Sequence, residues 1–318
     1  MGNIKTAFVT GANGFLGRHM VKELESRGVE VYTCDATTDV DLSYVVKDLD
    51  IRFDLVVHLA YHTGSQQDKV GLPMNLVKNL QLDGQLLEWA LKTKQKRVLY
   101  FSSADAYPIR NQLPDRWATG ELMQAYGAMG AGVIAGGPGY IRLTEDMIGY
   151  DEARQPNGNY GWGKLTGERM AQAAISSGLP VYIVRPFEVY AAAQNPAKLY
   201  RNIIIQARAM KAKIEIPVRK DDVRDFIHVT DAVAGALAIV ESDTDAPVNL
   251  CTGIGTKMSD LVKMACAEIE HEAEIIEPEG AKLFKQVGDP DLFNAVYNAQ
   301  VALERAVSVA MKWTTRVR

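Results

Sequence analysis

The chain has 318 residues, is 47% hydrophobic and 23% charged, and carries a formal net charge of −4. That length allows two domains or one large α/β domain, and the mild charge without a Lys/Arg cluster argues against a nucleic-acid surface. Three cysteines, Cys34, Cys251 and Cys266, stand far apart without C-x-x-C pairing, which excludes a disulfide or zinc framework and points to a reducing compartment.

No apolar run reaches the about 18–20 residues that cross a bilayer, and no signal-peptide core is visible, so no membrane partner and a cytoplasmic location are expected. "MGNIKT" fits an acylation pattern at Gly2 and Thr6, but it runs directly into a first strand. In chain order, "KTAFVTG", "VEVYTCD", "FDLVVHLA", "RVLYFSS" and "PVYIVRP" read as strands bounded by Gly, Pro or polar turns. Between them "GRHMVKELESRG", "NLVKNLQLDGQLLEWALKTK" and "GKLTGERMAQAAISSG" have helical spacing, with Gly28 and Gly178 as stops. Such β–α–β alternation implies a parallel, doubly wound sheet. After Pro186 the alternation loosens. "DFIHVTDAVAGALAIVES" is one more turn-and-helix unit, and the remainder reads as a small α/β cap. One segment between Ser103 and Tyr160, "GAMGAGVIAGGPGY" (127–140), is rich in Gly and Ala with little periodicity; it is either a lid or an insertion that serves packing.

Chemistry enters at "VTGANGFLG", where Gly11, Gly14 and Gly17 follow a strand and precede a helix. Glycines in that context let the backbone turn tightly and approach a pyrophosphate, which the helix N-terminus then binds; the alternative is a purely structural turn. Asp35 ends the next strand, where a carboxylate accepts ribose hydroxyls and repels a 2′-phosphate, so NAD is expected over NADP. "NYGWGKLTGE" sets Tyr160 and Lys164 four apart on one helix face, where an ammonium can stabilise a phenolate and make the tyrosine a general base. "FSSADAYPIR" (101–110) places Ser102, Ser103 and Asp105 at a strand end, the position where open α/β sheets bind ligands. His62 and His228 have no metal-ligand spacing, and no metal is expected; His58 reads as a packing residue.

Together "TGANGFLG", "HLA" (58–60), "FSSADAY", "YGWGK", "RPFEVY" and "VRDFIHVTD" resemble an extended short-chain dehydrogenase/reductase, the NAD-dependent epimerase/dehydratase group that acts mostly on nucleotide sugars. The resemblance covers nearly the whole chain and is somewhat like GDP-mannose 3,5-epimerase in its "YP" (107–108) after the motif. It implies a Rossmann-type doubly wound parallel sheet over 1–185, with 223–245 returning to it, and a smaller C-terminal α/β substrate-binding domain over 186–318. It implies NAD contacts at Gly11, Asn13, Gly14, Phe15, Leu16, Gly17, Asp35, Leu59 and Ala60, with Tyr160 and Lys164 at the nicotinamide ribose. It puts Ser103 on the reacting sugar hydroxyl, Tyr160 as its base, and substrate contacts at Ser103, Glu188, Lys198, Arg201 and Arg224. Asp105 stands where relatives that move a second proton carry an acid/base; the alternative is a loop carboxylate that caps backbone N–H groups. A homodimer through the helices near 75–94 and 160–176 is also implied.

Two departures from the family pattern bear on the substrate. Glu188 stands where the family usually has Asn, and Gln286, in "QVGD", stands where it has a phosphate-binding Arg. A Glu gained and an Arg lost make a diphosphate site less cationic, so Lys198, Arg201 or Lys285 compensates or the substrate is not an ordinary nucleoside diphosphate sugar. The expected activity is an NAD-retaining nucleotide-sugar epimerase working through a transient 4-keto intermediate. A dehydratase or decarboxylase sharing the first oxidation is the alternative enzyme, and a non-catalytic NAD-binding regulator the alternative of another class.

Overall fold

The computed structural model describes residues 4–36, 42, 46, 49–62, 73–113, 140–148, 156 and 158–312. Gly2 and residues 127–139 of the Gly/Ala-rich segment lie outside the described residues.

Five strands read from the sequence, β1 (Thr6–Thr10), β2 (Glu30–Cys34), β3 (Leu55–His58), β4 (Val98–Phe101) and β5 (Val181–Pro186), form one parallel sheet. A sixth strand, β9 (Val248–Leu250), adds at the edge of β5, and the order is β2-β1-β3-β4-β5-β9. Every residue of β3, β4 and β5 is buried, as helices on both faces require; this is why those strands are continuous apolar runs and not alternating ones. The pleat still divides them. Ala7, Val9, Val57 and Leu99 face one core, while Phe8, Val56, Val98 and Tyr100 face the other.

On that second face lie helices α2 (Pro73–Lys92) and α3 (Gly158–Ser176), which insert Leu86, Trp89, Ala171 and Ala174. Helix α2 begins earlier than the spacing predicts, at Pro73, whose missing N–H leaves nothing unpaired there, and α3 carries both Tyr160 and Lys164, as their four-residue spacing predicts. The first face is covered by α1 (Phe15–Ser26) and by α5 (Val229–Ser242). Gly28 (φ +77°) and Gly178 (φ +91°) end α1 and α3 in the left-handed conformation, with Val29 and Leu179 donating back to Leu24 and Ala174 carbonyls at 3.1 and 3.0 Å.

A second, smaller sheet is centred on β8 (Val223–His228). It pairs parallel with β6 (Glu188–Tyr190) and β12 (Lys285–Gln286), and antiparallel with β10 (Gly255–Lys257). A parallel pair of short strands, β7 (Lys213–Glu215) and β11 (Glu274–Ile276), lies apart from it. Helices α4 (Leu199–Arg208), α6 (Met258–Ala267) and α8 (Leu303–Lys312) share a separate core with Phe226; α7 (Asp291–Asn294) is a single turn whose Phe293 packs on the first core. Helix α5 leaves β8 without a loop and returns to the first core through Val229, Val233 and Leu237. The chain thus crosses between cores at Pro186–Glu188 and again at Ile227–Val229, and the catalytic candidates sit beside those crossings.

Candidate active site at the strand ends

Strand order reverses between β1 and β3, and in open α/β sheets the crevice beyond such a reversal takes the ligand. The backbone there admits no side chain. A Cβ on Gly11 (φ +69°) would lie 2.6 Å from Ala60 N, and one on Gly17 would lie 2.1 Å from Gly11 O. The loop is held by Gly11 N–H donating to Cys34 O (2.8 Å) and Gly14 N–H to Gly11 O (3.0 Å). No side chain caps the N-terminus of α1 and no acidic residue stands in its first turn, so its N–H groups and positive dipole end face the crevice. Asp35 Oδ2 accepts the Asn13 N–H at 2.8 Å, which fixes the carboxylate beside the loop.

Leu59 and Ala60 are anchored from beneath. Both donate their N–H to Thr10 Oγ1 at 3.2 Å, and Thr10 Oγ1 lies 2.8 Å from His58 Nδ1. With its oxygen accepting twice, the Thr10 hydroxyl hydrogen goes to His58 Nδ1, which leaves Nε2–H to donate to Asp83 Oδ1 (3.0 Å). Tyr100 Oη donates to the other Asp83 oxygen at 2.8 Å. His58 is therefore buried, as expected, but as one link in a polar chain and not as apolar filler.

Strand β4 delivers the next group. Ser103 Oγ caps a single 3-10 turn, Ala104–Ala106, by accepting the Asp105 N–H at 3.1 Å, and it hydrogen-bonds the Tyr160 hydroxyl. The turn packs on the start of α3, where a Cβ on Gly161 would meet Asp105 O at 2.3 Å; only glycine lets the two segments close together. Burial pushes the Tyr160 phenol well above its usual value, the Asp105 carboxylate raises it further, the Ser103 bond lowers it, and Glu188 adds a smaller rise. Lys164 is buried and donates to Phe101 O at 2.7 Å. Burial pulls its ammonium down to about 8, against the Asp83 and Glu168 carboxylates that hold it up. In this state the phenol is neutral and the lysine is near its titration point. Tyr160 becomes a base only when added positive charge favours the phenolate.

Ser102 has a different fate from Ser103. It donates to buried Glu168, which forms a two-pronged pair with buried Arg185 at 2.9 Å per contact. Arg185 also donates to Tyr107 Oη (3.2 Å) and Glu145 O (2.9 Å), and Tyr107 Oη donates to Asn249 Oδ1 (2.7 Å). This fully buried network fixes the turn that carries Ser103 and Asp105.

On the far side of the crevice Gln286 is the hub. Its Nε2 donates to Gln112 Oε1 (3.2 Å) and Asp105 Oδ1 (3.4 Å), and its Oε1 accepts from Arg224 Nη1 (3.2 Å). Arg224 Nη2 pairs with Asp222 at 3.2 Å, while its Nε is buried without a hydrogen-bond partner among the described residues. Lys198 and Arg201 lie on a different element, at the start of α4; Lys198 is exposed, and Arg201 Nη1 is likewise buried without a partner among the described residues.

Residues 7–251 match the NAD dependent epimerase/dehydratase family. The chain belongs to that family. Among curated relatives, a dTDP-4-dehydro-6-deoxy-D-allose reductase of Streptomyces bikiniensis is 26% identical over 83% of this chain and 81% of its own. A UDP-glucose 4-epimerase of Oryza sativa subsp. japonica is 24% identical over 82% of this chain and 76% of its own. Among solved structures, the Thermus thermophilus UDP-glucose 4-epimerase in complex with NAD superposes with a TM-score of 0.74 at 19% identity, covering 96% and 97% of the two chains. The fold is thus the Rossmann-type epimerase fold, and NAD is the cofactor.

The loop fits that cofactor: Gly11 and Gly17 let the turn, the β3 end and α1 close on one another, which brings the uncapped N-terminus of α1 to the strand ends where a pyrophosphate binds. For a member of this family several residues escape sequence reading. Glu168, Asp83 and Asn79 are helix residues whose partners, Ser102 and Arg185, His58, and the His62 backbone, lie 17 or more positions away. Tyr61, after "HLA", gives no motif signal either. Among the described residues no helix is long and apolar enough to cross a membrane, and no His/Cys/Asp/Glu group has the arrangement of a metal site.

Proposed function

We propose that the protein is a nucleotide-sugar epimerase in which Ser103, Tyr160 and Lys164 handle one sugar hydroxyl and Asp105 handles a proton on the neighbouring carbon. The observation that carries this reading is the Tyr160 hydroxyl bonded to Ser103 with two carboxylates, Asp105 and Glu188, close enough to raise its proton affinity. Gly11, Asn13, Gly14, Phe15, Leu16 and Gly17 would hold the NAD pyrophosphate, Asp35 the adenosine ribose, Leu59 and Ala60 the strand-end side, and Lys164 the nicotinamide ribose. When bound, NAD would supply the acceptor for a hydride from the sugar carbon and the donor that gives it back. Ser103 would orient the hydroxyl and Tyr160 accept its proton; the carbonyl so formed acidifies the adjacent C–H bond, from which Asp105 would take the proton, and the carbon inverts when solvent reprotonates it on the opposite face. Arg224 would meet the diphosphate, with Glu188, Lys198 and Arg201 as further substrate contacts.

Turnover of a UDP-, GDP-, CDP- and dTDP-sugar panel in deuterium oxide, followed by NMR and mass spectrometry, tests this. An inverted sugar of unchanged mass apart from one incorporated deuterium supports the reading. Loss of water or of carbon dioxide marks a dehydratase or decarboxylase, and accumulating free NADH marks a net dehydrogenase.

A homodimer is proposed for the same chain. Met74 and Val77 on α2 and Trp162 and Ile175 on α3 are apolar and 38–59% exposed, on two helices that pack side by side. Trp162→Glu is expected to convert a dimer into a monomer in light scattering; a wild-type monomer at micromolar concentration refutes the proposal.

A further inference from the structure

The geometry points to Tyr61 as a positioning residue that holds the Lys164 ammonium through the face of its ring. The inference rests on the reading of Lys164 as the catalytic lysine. Lys164 Nζ lies 3.6 Å from the Tyr61 ring centroid, within cation–π range, and 5.6 Å from the Tyr100 ring centroid. The same Tyr61 ring stands edge-to-face with Tyr160, centroids 5.4 Å apart and planes at 86°. One aromatic ring therefore touches both members of the Tyr-x-x-x-Lys pair. Its own pose is fixed from behind, because a Cβ on Gly163 would lie 2.2 Å from Tyr61 Oη, and Leu76 of α2 closes the same gap.

The hydroxyl is not what holds Tyr61 there. Tyr61 Oη is buried and makes no hydrogen bond of good geometry among the described residues; nearby Asn79 spends its amide on the His62 backbone. A buried hydroxyl without such a bond contributes nothing favourable, so the face and edge of the ring carry the role. An ammonium has three N–H donors; Phe101 O takes one, the Tyr61 face covers a second side, and one remains for a phenolate or a ribose hydroxyl. The groups facing Lys164 from the packed elements are Asp83 on α2, Glu168 on its own helix, and Tyr100 on β4. Asp83 is bonded to His58 and Tyr100, and Glu168 is bonded to Arg185. Both carboxylates are thus committed to other partners, and the ammonium is held directly by the Phe101 carbonyl and the Tyr61 ring face. Burial of Lys164 favours the neutral amine. A ring face favours the ammonium and opposes that shift.

The test is a titration of the unloaded protein by NMR of ¹³Cε-labelled lysine, with Lys164 assigned by its absence in Lys164→Met. Tyr61→Leu, which keeps an apolar side chain but removes the π face, is expected to lower the Lys164 pKa by about one unit, a roughly ten-fold change in its ionisation constant. The alkaline limb of the kcat profile should fall by the same amount. Tyr61→Phe is expected to keep both at the wild-type position. If Tyr61→Leu does not fold, Tyr61→Met serves the same purpose. An unmoved titration in the Leu or Met variant, or the same shift in the Phe variant, overturns the inference while leaving the catalytic reading intact. Wild-type turnover in Lys164→Met overturns the catalytic reading and this inference with it.

Discussion

At the ends of β1 and β3 the backbone itself makes the site: Gly11 and Gly17 sit so close to Ala60 N and Gly11 O that one methyl group on either would clash. Across the crevice, beside β8 and β12, Gly255 and Gly288 are hemmed in by side chains and not by backbone, and the groups that reach Asp105 form a chain of side chains, Asp222–Arg224–Gln286–Asp105, at 3.2–3.4 Å spacing. In the first half a side chain at Gly11 or Gly17 would displace backbone. The second half can be rewritten one side chain at a time. That contrast explains how a family keeps one cofactor and changes its sugar: the hydride chemistry rests on sterics, the substrate on replaceable polar groups.

Tyr160 stands at the seam, bonded to Ser103 from the cofactor sheet and raised by carboxylates from both sides. Its loss should have the largest effect. Tyr160→Phe is expected to lower turnover about 10²–10⁴-fold while leaving NAD-induced thermal stabilisation in place. Near wild-type turnover would place the base elsewhere. Next comes the cofactor half, where Gly17→Ala should cost about 1–3 kcal/mol of stability and lose most of the stabilisation by NAD, because its Cβ meets backbone and not a movable side chain. A fully NAD-responsive Gly17→Ala protein would show that the cradle relaxes and would erase the contrast.

Asp105→Asn probes the other half of the seam. Asp105 raises the Tyr160 phenol, so removing its charge lowers the phenol pKa, and the acid limb of the pH profile for the first oxidation, read as bound NADH formed on substrate addition, should move to lower pH. Lys164, pulled to about 8 by burial, sets a fall in activity above that pH in both proteins. Solvent deuterium should no longer enter the sugar, and bound NADH should accumulate on substrate addition, read by its near-ultraviolet absorbance. Normal deuterium exchange would make Asp105 structural and favour a simple C4 epimerase that rotates its ketone.

The same contrast governs what could be read from the sequence. The cofactor half was legible because it follows local rules: a strand, a glycine spacing, a helix, a carboxylate one strand later. The Tyr160–Lys164 pair was legible from four-residue spacing on one helix. Ser102 was visible as a strand-end hydroxyl, but its binding of Glu168, 66 positions on, is a consequence of helix α3 lying over β4 and has no local trace. Tyr61 and Asp83 were missed for the same reason: Asp83 on α2 meets His58 of β3 and Tyr100 of β4, and Tyr61, after β3, meets Lys164 and Tyr160 of α3. The six short strands β6, β7, β9, β10, β11 and β12 also escaped, because two or three residues give too little alternation to distinguish a strand from a turn.

The smallest expected effect is the most informative about substrate. Gln286→Arg would set a second guanidinium beside Arg224, whose own charge is already shared with Asp222. If the substrate carries a diphosphate at this end, the added cation should lower KM about 3–10-fold, a difference of roughly 1 kcal/mol in binding, with kcat little changed by binding itself. The same cation would stand near Asp105, the residue Gln286 now touches, and would offset its effect on Tyr160; the acid limb should move in the Asp105→Asn direction, by less. Gln286→Ala removes the link without adding charge, so it should raise KM a few-fold and leave the limb alone. The two variants thus separate a charge effect from a contact effect. A Gln286→Arg protein with weaker binding of every nucleoside diphosphate sugar, and an unchanged pH limb, would mean that this end of the crevice does not receive a diphosphate, and that Glu188, Asp222 and Gln286 together select a less anionic group.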